Sequence, residues 1–325
     1  MRSSPALIDV VGQLRQLAGA AHARTGNFRQ AIRQDWQLYV LLAPLMLWFA
    51  VFLYAPMGGL VIAFKDYSLF KGAAGSSWIG LENFAALIGD EQFHRAVINT
   101  LALGLLSLIF GFPVPIVLAV MFNEIRHSGF RRVAQTIAYL PHFISVVIIA
   151  GLVVAMLSPS NGVVNVVRSA MGLEKVYFLT VPEYFRTIYI GSGIWKEAGF
   201  DSIVYLAAIA GINPALFEAA RIDGASRLNI IRYITLPALV PTILVLLLIK
   251  VGHLIEVGFE YIVLLYQPAT YATSDVIATY IYRAGLQNSD YGLAAAAGLF
   301  NALVALVLVW GANALSRRYS SAGLW

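Results

Sequence analysis

The amino-acid sequence predicts an all-α polytopic membrane protein with six transmembrane helices. Hydrophobic residues make up 59% of the 325 positions and charged residues only 12%, and the mean hydropathy is +0.75. Such values are typical of membrane proteins and not of soluble domains. Runs of about 20 apolar residues, long enough to cross the hydrocarbon core of a bilayer, recur along the chain. Arginines are concentrated in alternate segments between these runs.

The six apolar runs justify the six predicted helices in chain order. The first three runs and the last are almost free of charge, whereas the fourth and fifth contain ionisable residues. The runs are residues 39–64, 97–122, 133–157, 188–212, 239–265 and 293–314. They define a transmembrane domain at 36–316, between an amino-terminal tail (1–35) and a short carboxy-terminal tail (317–325). Apolar residues at helical spacing in the first tail fit an interfacial helix, or a short helix packed on a partner subunit.

The arginines predict the orientation, because positive charge is retained on the cytoplasmic side of a membrane. The arginine-rich segments contain Arg2, Arg15, Arg24, Arg29, Arg33, Arg126, Arg131, Arg132, Arg221, Arg227, Arg232, Arg317 and Arg318. In the alternate segments, acidic residues dilute the basic ones. We therefore expect both termini to be cytoplasmic, together with the segment between the fourth and fifth runs. Contact of these segments with membrane lipid explains the net charge of +5, so nucleic-acid binding is not predicted.

The segment between the fourth and fifth runs, residues 213–237, is polar but carries strong helix signals. Asn213 can cap a helix that has Pro214 at its first position. Gly224 ends this helix, and Ser226 can start a second helix that ends near residues 234–237. The sequence therefore predicts a helix, a glycine hinge and a second helix.

This pattern resembles the EAA loop of the permeases of ATP-binding-cassette (ABC) importers. The matching positions are Glu218, Ala219, Ala220, Asp223, Gly224, Ile234, Leu236 and Pro237. The resemblance implies the type I ABC importer permease fold, with a coupling helix that inserts into a cleft on an ATP-binding subunit. Small Ala219 and Ala220 allow close approach of two backbones, and Gly224 allows a sharp bend. An ordinary amphipathic hairpin is the alternative interpretation.

Ionisable residues inside the fifth and fourth runs predict a polar surface, because a charge in a bilayer usually faces protein or water. Lys250, His253 and Glu256 recur at spacings that place them on one side of a helix, and Glu260 continues the series. The predicted polar stripe lines a substrate path. A structural network of salt bridges between helices is the alternative.

The fourth run adds three charged residues to the predicted path: Lys196, Glu197 and Asp201. Glu197 and Asp201 are four positions apart and share a helix face, whereas Lys196 is expected to point elsewhere. Like charges at this spacing repel unless a cation or water lies between them.

Motifs of catalysis are absent from the sequence. Because no lysine is followed by Ser or Thr, there is no phosphate-binding GxxxxGK[ST] loop, and ATP and Mg²⁺ are expected on a separate chain. The chain has no cysteine, no HExxH pair and no nucleophile with a neighbouring base, so neither a metal site nor a hydrolytic site is predicted. We expect this chain to bind no cofactor and to have no catalytic activity alone.

Beyond the EAA loop, much of the chain resembles the LplB-type branch of these permeases, which serves oligosaccharide and polysaccharide importers. The similar segments are 35–41 (DWQLYVL), 62–67 (IAFKDY), 140–145 (LPHFIS), 191–195 (GSGIW), 273–285 (TSDVIATYIYRAG) and the terminal Leu324 and Trp325. The resemblance implies a multi-pass protein of the bacterial inner membrane. It also implies a second permease subunit, two ATP-binding subunits and an extracytoplasmic solute-binding protein.

Four charged residues, Lys196, Glu197, Lys250 and His253, depart from the uncharged residues expected in this branch. Extra cations fit an anionic glycan, and the chain is also similar to permeases of bacterial alginate importers. An anionic glycan such as alginate is therefore the predicted substrate. Two other classes remain. A secondary transporter or channel driven by an ion gradient would use the same charges without an ATPase, and a membrane-bound enzyme would form product without transport.

Overall fold

The computed structural model describes residues 35–319 of the chain. The chain divides into two compact units, Met1–Leu60 and Val61–Trp325. The predicted amino-terminal tail lies outside the described residues except for Asp35. Of the predicted carboxy-terminal tail, only residues 317–319 are described, and they continue the last helix.

Helices make up most of the described chain, as the sequence predicts. The α-helices are α1 (Trp36–Phe49), α2 (Ala55–Met57), α3 (Gly72–Gly75), α4 (Glu82–Gly89), α5 (Glu91–Leu106), α6 (Pro113–Glu124), α7 (Ser128–Tyr139), α8 (Val146–Leu157), α9 (Val163–Ala170), α10 (Pro182–Ala210), α11 (Pro214–Ile222), α12 (Arg227–Ile230), α13 (Leu236–Gly252), α14 (Phe259–Leu265), α15 (Tyr271–Ser274), α16 (Ile277–Tyr282) and α17 (Tyr291–Tyr319). Short 3-10 helices lie at Gly58–Phe64, Leu140–Phe143, Phe178–Thr180 and Pro268–Thr270. The strands β1 (Lys65–Asp66) and β2 (Ser77–Trp78) pair antiparallel.

Within residues 35–319, four helical stretches are long and apolar enough to cross a membrane, and two bent pairs bring the number to six. The four are Trp36–Phe64, Glu91–Glu124, Arg227–Gly252 and Tyr291–Ala314. The bent pairs are Ser128–Phe143 with Val146–Leu157, at 102°, and Pro182–Ala210 with Pro214–Ile222, at 73°. Counting each bent pair as one span gives the predicted number of six, but the third is not one straight helix. Its second half restarts at Ser145, whose side chain accepts a hydrogen bond from the Ile148 N–H at 3.4 Å.

Turns of π-helix occur within three of these stretches, each just before a proline. The turns are Ala50–Tyr54 before Pro56, Ser107–Gly111 before Pro113 and Ile231–Thr235 before Pro237. A proline lacks the N–H for the helical hydrogen bond, and its ring collides with the carbonyl group one turn earlier. A wider turn at that point lets each helix continue past its proline.

The fifth predicted run, 239–265, is displaced from the helix that the structure contains. The observed helix extends from Arg227 to Gly252, and a non-helical break at residues 253–258 separates it from α14. Hydropathy identifies the apolar residues of this span correctly, but it predicts neither end of the helix. The cationic first turns before residue 239 are helical, and the chain leaves the helix at His253, which has φ −97° and ψ 13°.

The second unit holds three clusters of buried apolar residues. One joins α5, α16 and α17, another joins α5, α8 and α14, and the third joins α6, α10 and α13. Their central members include Phe93, Ile277 and Ala296; Leu103, Ile149 and Ile262; and Ala119, Tyr205 and Leu239. In the first unit, residues 35–60 include no buried residue. The spans that carry the fourth and fifth runs therefore pack on one another through the third cluster.

A buried ion pair connects the two ends of the segment 275–283. The Arg283 guanidinium donates to both carboxylate oxygens of Asp275 at 2.5 Å, and it lies 4.7 Å from the centre of the Tyr271 ring. The side chains are only 14% and 4% exposed. The hydrogen bond to Asp275 raises the pKa of Arg283.

A second polar contact joins Tyr280 of α16 to Asp90, whose carboxylate accepts a hydrogen bond from the Tyr280 hydroxyl at 2.6 Å. Burial raises the pKa of Tyr280, and the neighbouring Asp90 carboxylate raises it further.

Asp275→Asn is expected to lower the free energy of unfolding by about 3–5 kcal/mol, because it leaves the Arg283 charge buried and unpaired. Chemical denaturation of the purified chain in detergent measures this loss. Glu91→Gln is the control. The Glu91 side chain pairs with Arg95 but is 90% exposed, so its loss should cost less than about 1 kcal/mol. Equal effects of the two substitutions would contradict a structural role for the buried pair.

Candidate functional site

The helix α11 ends in a motif that favours glycine. Asn213 caps its start, since its side chain accepts a hydrogen bond from the Ala215 N–H at 3.0 Å. At the other end, the N–H of Ala225 donates to the Ala220 carbonyl at 2.9 Å and that of Gly224 to the Arg221 carbonyl at 3.1 Å. This pair of bonds is a Schellman motif, and it places Gly224 at φ +74°. The predicted cap and glycine stop are confirmed.

The second predicted helix starts at Ser226, whose side chain accepts a hydrogen bond from the Asn229 N–H at 3.3 Å. The predicted end near residues 234–237 is wrong. The helix continues through the π-turn Ile231–Thr235 into α13, so that Ile234, Leu236 and Pro237 lie inside a helix of 26 residues that ends at Gly252. The apolar run and the loop therefore share one helix.

The surface around α11 is largely exposed. Glu218, Ala219, Asp223 and Gly224 are exposed, whereas Ala220 is half-buried. Three large apolar side chains close to them are also exposed, namely Leu216 (52%), Ile222 (86%) and Leu228 (72%). A cavity of about 610 Å³ beside the helix is lined by Glu124, Arg126, Glu218, Arg221 and Arg227, among others. Exposed apolar side chains next to charged ones are typical of a surface that binds another protein.

A second cavity, of about 500 Å³, lies between the spans of the second unit. Its walls come from α5, α6, α10 and α13, and from the break at residues 253–258. All six residues of the predicted substrate path line this cavity: Lys196, Glu197, Asp201, Lys250, His253 and Glu256. The prediction of a stripe on one helix of the fifth span, formed by Lys250, His253, Glu256 and Glu260, is wrong. Lys250 lies in α13 and Glu260 in α14, while His253 and Glu256 lie in the break between them. They reach the cavity because the chain turns there.

Charges of opposite sign are paired in this cavity. Lys250 Nζ lies 3.0 Å from Asp201 Oδ2, which connects α13 to α10. Lys196 forms an ion pair with Glu197, and Glu197 Oε2 also lies 2.6 Å from His142 Nδ1. The expectation that Lys196 points away from Glu197 is wrong, because its long side chain bends back to its neighbour.

The remaining predicted residues pair within the break, where His253 Nδ1 lies 2.8 Å from Glu256 Oε2. Each of the two lysines in the cavity therefore has a carboxylate partner. The alternative of a salt-bridge network between helices is correct in part, since the same residues pair with one another and line the cavity.

The sequence does not predict three residues of this site. His142 belongs to the segment 140–145, and its ring stacks on Phe200 at 3.8 Å. Tyr189 and Tyr261 line the cavity, and the Tyr189 hydroxyl accepts a hydrogen bond from the Gly258 N–H at 3.1 Å, which holds the break in place. The spacing of residues within one helix does not predict these contacts, because the contacting residues belong to different elements of the chain.

A close contact also positions the break. A Cβ added at Gly104 in α5 would lie 2.0 Å from the Leu254 carbonyl oxygen. Only glycine leaves room for this approach. Among the described residues, no group of three or more His, Cys, Asp or Glu is placed to hold a metal ion.

Comparisons with known proteins agree with this arrangement. Over residues 111–321 the chain matches the family described as binding-protein-dependent transport system inner membrane component. It is 42% identical over 292 residues to the polygalacturonan/rhamnogalacturonan transport system permease protein YteP of Bacillus subtilis (strain 168), covering 90% of this chain and 91% of YteP. It is 37% identical over 299 residues to protein LplB of the same organism, covering 92% of this chain and 94% of LplB.

A chain of a solved structure is more similar still. It belongs to a bacterial alginate ABC transporter in complex with an alginate pentasaccharide-bound periplasmic protein. The identity is 59% and the TM-score 0.85, covering 91% of this chain and 99% of that chain.

These similarities cover most of the chain and include the loop and the cavity. They confirm the LplB-type resemblance and the type I ABC importer permease fold, and with them a multi-pass location in the bacterial inner membrane. ATP hydrolysis in such an importer takes place on a separate chain, so this chain is not itself an enzyme. The chain belongs to the family of binding-protein-dependent transport system inner membrane components and is a permease subunit of an ABC importer.

Proposed function

We propose that this permease carries an anionic oligosaccharide or polysaccharide of the alginate class into the cell. Its partners would be a second permease subunit, two ATP-binding subunits that hold ATP and Mg²⁺, and an extracytoplasmic solute-binding protein. The observation that carries the proposal is the cavity of about 500 Å³ between the spans, whose walls hold two ammonium groups, Lys196 and Lys250, each paired with a carboxylate that a substrate carboxylate can replace. The 59% identity to a chain of an alginate transporter supports the substrate class.

The cavity offers the groups that a uronate chain needs. Lysine ammonium groups donate hydrogen bonds to carboxylates, and the Glu256 carboxylate accepts hydrogen bonds from sugar hydroxyls, while Glu197 and Asp201 pair with the two lysines. The rings of Tyr189 and Tyr261 provide flat apolar surface for the faces of sugar rings. We propose that these side chains line the translocation path.

We propose that α11 is the coupling helix. Glu218, Ala219 and Ala220 would enter a cleft on the ATP-binding subunit, and the exposed apolar residues around them support this docking. Asp223 and Gly224 would form the hinge that follows. In this proposal the residues 36–316 span the membrane, and both termini lie in the cytoplasm with α11.

The long fifth helix supplies a direct mechanical link. From Arg227 to Gly252 it has 26 residues, which corresponds to about 39 Å at the rise of an α-helix. The Gly224 hinge adjoins its start, Ile234, Leu236 and Pro237 follow, and Lys250 lies near its end. We expect movement of the coupling helix, driven by closure of the ATP-binding subunits, to shift Lys250 and so to alternate the access of the cavity.

Affinity purification of the chain from detergent-solubilised native membranes, with mass spectrometry of its partners, tests the coupling proposal. We expect a P-loop ATPase to copurify, and to be lost when the 218–220 Glu-Ala-Ala sequence is replaced by Lys-Leu-Leu, because the docking surface is then changed in charge and volume. Retention of the ATPase by this variant would contradict docking through α11.

Transport assays distinguish the remaining classes. Reconstituted complex should import uronate oligosaccharides only with ATP, and in preference to neutral oligosaccharides of the same length. Uptake driven by an ion gradient without ATP would favour the secondary transporter, and a preference for neutral sugars would contradict the proposed substrate class.

A further inference from the structure

We infer that Asp201 and Glu197 are internal counter-ions, which pair with Lys250 and Lys196 while the path is empty and yield these lysines to the carboxylates of the transported glycan. The inference rests on the proposed function. It assigns the two acidic residues a role in specificity that differs from direct binding of sugar.

The charge balance of the cavity supports this role. Two lysines and three carboxylates line it, and each lysine is paired with a carboxylate. Because both ammonium groups remain in contact with water, leaving them unpaired would cost little folding energy, but it would attract small anions into the empty path. The carboxylates of α10 occupy the two lysines in place of such anions.

The pairs are also accessible enough to exchange. Lys250 and Asp201 are 54% and 33% exposed, and Lys196 and Glu197 are 20% and 40% exposed. The buried pair of Arg283 and Asp275 differs, with exposures of 14% and 4%. A pair in contact with water contributes little net energy. An incoming carboxylate can therefore replace Asp201 or Glu197 at small cost.

Replacement of each internal carboxylate by a substrate carboxylate changes a different contact between helices. The pair of Lys250 and Asp201 connects α13 to α10, so its exchange releases α13, which continues the helix from the hinge. Glu197 behaves differently, because it keeps a contact to His142 when Lys196 leaves. His142 is itself held by its stack on Phe200. Glu197 thus has a second partner within the protein, and α10 keeps its link to the third span.

This arrangement selects for a polyanion. A neutral sugar has no charge with which to replace a carboxylate beside lysine, and a monovalent anion can replace only one of the two. A uronate oligomer carries a carboxylate on every residue, so one molecule can displace both counter-ions. The second displacement is then intramolecular, which raises the effective concentration of the second carboxylate.

The test is initial-rate uptake by the reconstituted complex, with uronate oligosaccharides and neutral oligosaccharides of matched length as substrates. The variants are D201N, E197Q and K250M, and the control is E183Q, which removes an exposed carboxylate from the start of the same helix α10. Copurification of the partner subunits verifies assembly.

We expect D201N and E197Q to lower KM for the uronate substrate about three- to tenfold and to lower its maximal rate, because the freed lysine binds the substrate more tightly and releases it more slowly. K250M should raise KM for the uronate about tenfold without raising KM for the neutral sugar. A merely structural role for the acidic residues would lower uptake of both substrates and would not decrease KM for one of them.

The inference is overturned if D201N and E197Q leave KM for the uronate at the E183Q value, or raise it. If D201N fails to assemble, E197Q and K250M decide, since they alter separate pairs. A wild-type complex that imports neutral sugars and not uronates overturns the proposed substrate class as well. Wild-type uptake of uronates with unchanged KM in the variants overturns the counter-ion role alone.

Discussion

The substitution Gly224→Val is expected to reduce uptake at least about tenfold while ATP hydrolysis by the assembled complex continues. Gly224 adopts φ +74° at the end of α11, a conformation that costs roughly 1–2 kcal/mol for a residue with a Cβ and more for a β-branched one. Nothing lies within 4 Å of an added Cβ, so the cost comes from the backbone and not from a collision. The helix end would rearrange to relieve it, and α11 would lose its fixed direction relative to α12.

Gly224→Asn separates this explanation from an effect of side-chain size. Asparagine accepts the left-handed conformation better than other residues with a Cβ, and its volume is close to that of valine. We expect Gly224→Asn to retain most of the uptake and its coupling to ATP hydrolysis. Uptake and ATPase activity of both variants are measured in the same proteoliposomes. Normal uptake by the valine variant, or equal losses in both variants, would contradict the hinge role.

The substitution Gly104→Val is expected to lower uptake to a similar extent, but through the cavity and not through α11. Its Cβ would overlap the Leu254 carbonyl oxygen, which lies 2.0 Å away in the present geometry. Because protein interiors tolerate little overpacking, at a typical cost of about 1–3 kcal/mol, the break at 253–258 must move. That movement displaces His253 and Glu256 from the cavity wall.

Gly151→Val provides the matched control, since Gly151 also lies inside a helix but has nothing within 4 Å of an added Cβ. We expect Gly104→Val to copurify with the ATPase, because α11 is unchanged, and to fail in uptake. The Gly151→Val complex should retain uptake. Loss of the ATPase from the Gly104→Val complex would instead indicate a general folding defect, and normal uptake would contradict the role of this contact.

Much of the structure of residues 213–237 could be predicted from the sequence because its signals are local. The side-chain oxygen of Asn213 accepts a hydrogen bond from the N–H of Ala215, two positions later. Gly224 readily adopts the positive φ that its own position has. Neither interaction depends on a distant part of the chain. The end of the second helix was mispredicted because the π-turn at Ile231–Thr235 lets the helix pass Pro237, a residue that usually marks a boundary.

The sequence predicts which charged residues line the cavity, but not how these residues pair. Charge inside an apolar run is costly, so Lys250 and Glu197 had to face a protein interior or water, and this reasoning needs only the sequence. Their partners could not be predicted in the same way. His142 reaches Glu197 from a position 55 residues earlier, and Asp201 reaches Lys250 from 49 residues earlier.

The sequence by itself determined the all-helical membrane fold, the approximate positions of the apolar spans, the helix caps and the glycine at the end of α11, because hydropathy, capping and backbone angles act between neighbouring residues. Only the tertiary structure decided where the fifth helix ends, which carboxylate neutralises each lysine and how the break at 253–258 is held. Those features depend on contacts such as Gly104 with Leu254 and Tyr189 with Gly258. Such contacts form only when distant helices pack, and no periodicity within one helix encodes them.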